Sequence, residues 1–184
     1  MESVTIDFPI IFVLYKLMLN RMLSSRAGYV IGFLASFGLV ALALYIQTRD
    51  NLEPCPLCIS QRITFMTLGA AFLLAALHNP AGLWRKLHGV LQIVIAATGA
   101  GIAIRHIWIQ RHPEEVMSEC GAGFDYLFER FPMQKALQLI FQGTGECSAV
   151  DWTLFGFTIP ELSLAAFVIL GVFALLMATL GKGR

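Results

Sequence analysis

Four cysteines are the groups in this 184-residue chain best able to do chemistry: Cys55 and Cys58 in the stretch NLEPCPLCISQR, then Cys120 and Cys147 downstream. A Cys-x-x-Cys pair serves as a structural bridge, a metal site or a thiol–disulfide couple. As a bridge it closes so small a loop that it constrains the unfolded chain very little. Zinc would need two further ligands at suitable spacing, but Cys120 and Cys147 stand 27 positions apart with no second Cys-x-x-Cys, so no metal is expected. Covalent haem attachment would need a histidine after Cys58, where Ile59 stands. Redox exchange is the best remaining reading, and a pair of structural disulfides is its alternative.

The neighbours of the pair favour redox work. Pro54 and Pro56 fix the backbone, and Pro56 suits the first turn of a helix. Cys58 then falls close to a helix N-terminus, where the dipole favours a thiolate. Arg62 follows four residues later and projects from the same face one turn deeper. There it can stabilise a Cys58 anion and bind a carbonyl oxygen; its plainer role is that of an arginine reaching to lipid headgroups. His106, in AIRHIWIQ, closes another apolar run, and a histidine in that place is more often interfacial than catalytic. Arg105 beside it reads as an anchor for the helix end.

The elements that must position these groups are built for lipid. The chain is 57% hydrophobic and only 14% charged, with a mean hydropathy of +0.71, whereas soluble domains carry about a quarter charged residues. Ala27–Ile46 and Leu162–Leu180 are free of charge and come close to the roughly 20 residues that cross a bilayer as a helix. Ile63–Leu77 and Gly89–Ile104 are shorter but equally apolar. The expected fold is an all-α membrane protein, a bundle of four transmembrane helices spanning about 27–46, 62–78, 88–107 and 161–180 within a domain covering 27–181. A net charge of +1 without a basic stripe argues against nucleic acid as a partner. Residues 1–26 carry Glu2 and Asp7 first and Lys16 and Arg21 late, the reverse of a signal peptide. They read as an interfacial helix or loose leader, with Met18 or Met22 as alternative starts.

Four spans put both termini on one side. If that side is the cytoplasm, residues 1–26, the link near 79–88 and the tail 182–184 hold seven of the thirteen basic residues in short segments, as expected for inner loops. All four cysteines then face the oxidising side, Cys55 and Cys58 in a loop over about 47–61 and Cys120 and Cys147 in a longer one over about 108–160. Within the longer loop, DYLFERFPMQKALQLIFQ has the pattern of a short amphipathic helix lying on the bilayer. GTGEC then supplies a flexible turn before Cys147.

From about Ala27 onward the chain resembles the bacterial disulfide-bond formation protein B (DsbB) family. The resemblance rests on an ordered set of motifs: CPLC followed by ISQR, RHIWIQRHP, the cysteine of SEC, GTGEC, then VDW and LFGFTIPELS before the last span. Residues 1–26 depart from it, being longer than the leader expected. The resemblance implies a multi-pass protein of the bacterial inner membrane that reoxidises a periplasmic thiol oxidase of the thioredoxin fold (DsbA-like) and passes the electrons to the membrane quinone pool. Ubiquinone is the implied acceptor, with menaquinone under anaerobic conditions. It also implies that Cys55 and Cys58 form the quinone-linked pair, that Cys120 and Cys147 exchange with the partner, and that Arg62 and His106 stand at the quinone. Three alternatives remain open: a variant of the same fold dedicated to one partner, a vitamin-K-epoxide-reductase-like enzyme, and a scaffold with structural disulfides. In the second of these the Cys-x-x-Cys is expected near the end of the last span, not the start of the second.

Overall fold

The computed structural model describes residues 25–115, 132, 145–150 and 152–180. Four long helices dominate them: α1 (Ser25–Asp50), α2 (Pro56–His78), α3 (Gly82–Arg111) and α4 (Ile159–Leu180). Each is long and apolar enough to cross a membrane, which gives the expected all-α, four-helix membrane bundle.

Local chemistry sets the helix ends. Cys55 caps α2 in an extended conformation, and its sulfur accepts from the Cys58 N–H at 3.4 Å. Pro56, which has no N–H to leave unsatisfied, takes the first helical position. At the other end Asn79 adopts the left-handed conformation, φ 46°, and returns its N–H to the Ala75 carbonyl. Pro113 follows α3 and opens a 3-10 turn, Pro113–Glu115. A second 3-10 turn, Gly145–Ser148, carries Cys147.

A small hairpin leads into α4, its strands β1 (Thr153–Leu154) and β2 (Phe157–Thr158) pairing antiparallel. Phe155 and Gly156 turn it with positive φ at both positions, the geometry that matches strand twist in a two-residue loop. Glu161 accepts from the Thr158 N–H and pairs with Arg111 at 3.0 Å. This ties the start of α4 to the end of α3.

The helices outrun the apolar runs that announce them. Expected spans of 62–78 and 88–107 correspond to helices of 56–78 and 82–111, and the stretch between α1 and α2 shrinks from the expected 47–61 to residues 51–55. Apolarity marks where lipid lies, whereas backbone hydrogen bonding continues until a proline or a left-handed residue stops it. Residues 1–24, the amphipathic stretch about 126–141 apart from residue 132, Cys120 and the tail 181–184 lie outside the described residues.

Chain neighbours pack together, α1 on α2, α2 on α3 and α3 on α4. Large side chains such as Leu34, Leu77, Leu83 and Ile169 point outward, as a lipid-facing surface requires. Lipid tails are as apolar as leucine, so close packing rather than hydrophobic burial must hold such a bundle. Gly89 serves this purpose: a Cβ there would run into Ala178, so α3 and α4 touch backbone to side chain. Higher up, Phe65 of α2 stacks on Phe167 of α4 with centroids 3.8 Å apart and planes 6° from parallel.

Candidate active site

The α1–α2 link and the first turns of α2 build the site. Capping places the Cys55 sulfur over the helix start and, one turn on, brings Cys58 Sγ to 3.4 Å from it, the Cys55 thiol donating. Cys55 and Cys58 are free thiols, so the pair stands in its reduced arrangement. Cys147 is fully buried. Its thiol hydrogen-bonds Cys55, and its backbone hydrogen-bonds His106. The cysteine farthest along the chain is thus delivered to the first pair by the Gly145–Ser148 turn.

This crowding acts on Cys55. The Cys147 thiol beside it favours the anion, but the hydrogen bond to Cys58 and burial outweigh that, and the Cys55 thiol is pushed well above the ordinary thiol range. Cys55 therefore stays protonated and presents its S–H to the Cys58 sulfur. Arg62 sits one turn below Cys58, close enough for its charge to act on that sulfur. Its Nη1 donates to Oε1 of Gln47 on α1 in a short hydrogen bond, which holds one edge of the guanidinium fork.

His106 comes from α3 and is 2% exposed. Its Nε2 lies 3.7 Å from Cys55 Sγ, and its Nδ1 lies 3.1 Å from Nε2 of Gln61, a side chain equally buried. It is a contact of the cysteine pair, not the interfacial residue that its position at the end of an apolar run suggested.

Beside the pair opens a cavity of about 400 Å³. Leu39, Val40, Phe65 and Ala166 supply apolar walls, and Cys58, Arg62, Gln47 and His106 supply the polar groups. The cavity is thus apolar with a few polar groups at one side, among them the guanidinium fork of Arg62, a donor suited to an oxygen acceptor. Five of the six residues singled out from sequence meet here; the sixth, Cys120, lies outside the described residues. Gln47 and Gln61 were missed. Both stand at the ends of the loop expected over 47–61, and nothing local in the sequence marks them as buried.

Comparison with known proteins agrees with this geometry. Residues 25–177 match the family model described as disulfide bond formation protein DsbB. The protein named disulfide bond formation protein B of Methylobacillus flagellatus is 67% identical over 161 residues, covering 88% of this chain and 97% of that one. Those of Methylococcus capsulatus and Xanthomonas campestris are 44% and 46% identical, each over more than four-fifths of both chains. No solved structure gives a significant match. A reduced cysteine pair capping a membrane helix, with a third thiol delivered against it, is what a disulfide-forming membrane protein needs, and the chain belongs to the DsbB family.

Proposed function

We propose that this thiol-disulfide oxidase takes electrons from a soluble, thioredoxin-fold thiol oxidase outside the cytoplasmic membrane and passes them to quinone dissolved in the bilayer. The observation that carries this reading is an apolar cavity lined by Cys55, Cys58 and Arg62, with Cys147 buried against Cys55. The density of basic residues in the short segments at the other end of the bundle favours an orientation with both termini cytoplasmic and the cysteines outside.

Thiolate exchange in series accounts for the arrangement. A partner thiolate attacks Cys120 of a Cys120–Cys147 disulfide, forming a mixed disulfide and releasing Cys147. Cys147, already beside Cys55, attacks that sulfur of the Cys55–Cys58 disulfide and releases Cys58. The second partner thiol displaces Cys120, and the partner leaves oxidised. Cys120 then recaptures Cys147, freeing Cys55. Quinone, when bound, accepts two electrons and two protons to become quinol, and the Cys55–Cys58 bond re-forms. The sum is partner dithiol plus quinone giving partner disulfide plus quinol.

Within that cycle Arg62 orients a quinone oxygen, the burial of His106 and Cys147 keeps water from the exchanging sulfurs, and Cys55 holds its proton until its bond re-forms. Anaerobic mixing of the protein with the reduced partner and ubiquinone tests the reading. One quinone should be consumed per partner disulfide formed, and oxidation of partner without loss of quinone absorbance would refute it.

A further inference from the structure

We propose that the reduced site also binds a soft, four-coordinating cation of the Zn²⁺ class through Cys55 Sγ, Cys58 Sγ and His106 Nε2, and that the ion acts as a brake on the enzyme. The proposal rests on the reading that Cys55 and Cys58 cycle between dithiol and disulfide.

The three donor atoms lie within 4.8 Å of one another and come from the α2 cap, the first turn of α2 and the far end of α3. Their spacing suits a tetrahedral ion. Metal–sulfur bonds of about 2.3 Å and metal–nitrogen bonds of about 2.0 Å put sulfur ligands about 3.8 Å apart and sulfur and nitrogen about 3.5 Å apart. The observed separations are 3.4 Å between the sulfurs and 3.7 Å from Cys55 Sγ to His106 Nε2. Cys58 Sγ and His106 Nε2 lie within 4.8 Å of each other, and rotation of the Cys58 side chain toward the imidazole closes the set.

The surroundings are those of a metal site as well. A ligating imidazole usually gives its other ring nitrogen to a fixed partner, which sets the tautomer and aims the lone pair. The buried side-chain amide of Gln61 stands 3.1 Å from His106 Nδ1. With its carbonyl oxygen turned to that nitrogen, an exchange of near-identical atoms within one amide plane, it accepts from Nδ1–H and leaves Nε2 free to bind metal. Two thiolates and a dication form a neutral group, which a buried setting tolerates far better than unpaired anions. The fourth position remains open to water.

Binding releases two thiol protons per dication and involves no electron transfer. It ties up both sulfurs, so a metal-loaded pair can neither reduce quinone nor re-form its bond until the ion leaves. The oxidised enzyme is immune, because the disulfide consumes both sulfur ligands. Sequence spacing hides the set, since His106 stands 48 positions beyond Cys58 on another helix.

The test uses the full-length protein in detergent, in a Cys120→Ser, Cys147→Ser background that removes both loop thiols, reduced anaerobically and titrated with Co²⁺ alone. One Co²⁺ per chain should bind with the intense visible bands of four-coordinate cobalt and a thiolate charge-transfer band. Both should be absent once the Cys55–Cys58 disulfide is restored. Cys58→Ser and His106→Asn should abolish the four-coordinate spectrum, and Gln61→Leu should weaken binding about 10–100-fold with the ligands intact. If His106→Asn fails to fold, Cys58→Ser and Gln61→Leu decide the matter.

Equal uptake by the oxidised protein, a six-coordinate spectrum, or unchanged affinity in Gln61→Leu and Cys58→Ser would overturn the proposal. In the unmodified enzyme Zn²⁺ should stall quinone reduction after the pair is reduced, and a chelator should restore it. Cobalt binding without any quinone reduction would refute the proposed function while leaving the metal site standing; quinone reduction without cobalt binding would do the reverse.

Discussion

The two ends of the bundle use the same four helices in opposite ways. Toward the end away from the cysteines, Gly89 meets Ala178, Ala75 and Ala174 are fully buried, and the buried ring of Phe72 lies against Gly32 of α1. Small and flat residues let the helices close, which is how a bundle coheres in lipid. At the cysteine end the same helices hold a cavity, and polar side chains from three of them, Gln47, Gln61, Arg62 and His106, line part of it. Phe65, which lines the cavity, stacks on Phe167 at the boundary between the two ends. Close packing below is what permits an open, chemically expensive pocket above.

The largest expected effect lies at the open end. Cys58→Ser should abolish steady-state quinone reduction while leaving Cys120 and Cys147 able to exchange with the partner, as followed by trapping of mixed disulfides. Loss of partner exchange in the same variant would mean that the two pairs do not act in series.

Arg62→Gln comes next, removing both the charge and the fork, and should raise the KM for quinone and slow alkylation of Cys58. Arg62→Lys keeps the charge but loses the planar donors, so KM should rise while Cys58 reactivity is retained. Quinone titration in parallel with alkylation separates the two contributions. If Arg62→Gln changed neither, Arg62 would be only a membrane anchor.

The closed end should respond in stability instead. Gly89→Val drives a side chain into Ala178, and overpacking of this kind costs about 1–3 kcal/mol. Thermal unfolding in detergent should fall accordingly, with the KM for quinone unchanged in the folded fraction. A shift in KM would show that the ends are mechanically coupled.

Smaller still is the effect of Gln47→Leu. It frees one edge of the Arg62 fork and should raise quinone KM by less than Arg62→Lys does, leaving exchange at Cys120 untouched. Finally, the raised Cys55 thiol should show in its titration. Because ionisation is deferred, the alkylation rate of Cys55 in the folded, reduced protein should stay low through the ordinary thiol range near pH ~8.5 and climb only above it. In the denatured chain it should climb within that range. Coincident profiles would show that the hydrogen bond to Cys58 and burial do not hold the Cys55 proton.

Sequence alone determined the lipid-crossing elements, because apolar runs of the right length have few other uses, and their charge-poor interiors can be read without any neighbour. It also pointed to redox chemistry at Cys55 and Cys58, since Pro56, the helix start and Arg62 act within a single turn and need no distant partner. Tertiary structure decided everything that depends on residues far apart in the chain. His106 looked interfacial because its own helix shows it at the end of an apolar run; only the packing of α3 against α2 turns it onto Cys55. Gln61 looked like one polar residue beside an arginine until burial gave it His106 as partner. The approach of Cys147 to Cys55 depends on the turn Gly145–Ser148 packing against α2 and α3. Local propensity and hydropathy act over a few residues and are written in order along the chain, whereas side-chain meetings across helices depend on helix rotation and close packing, which no single stretch of sequence specifies.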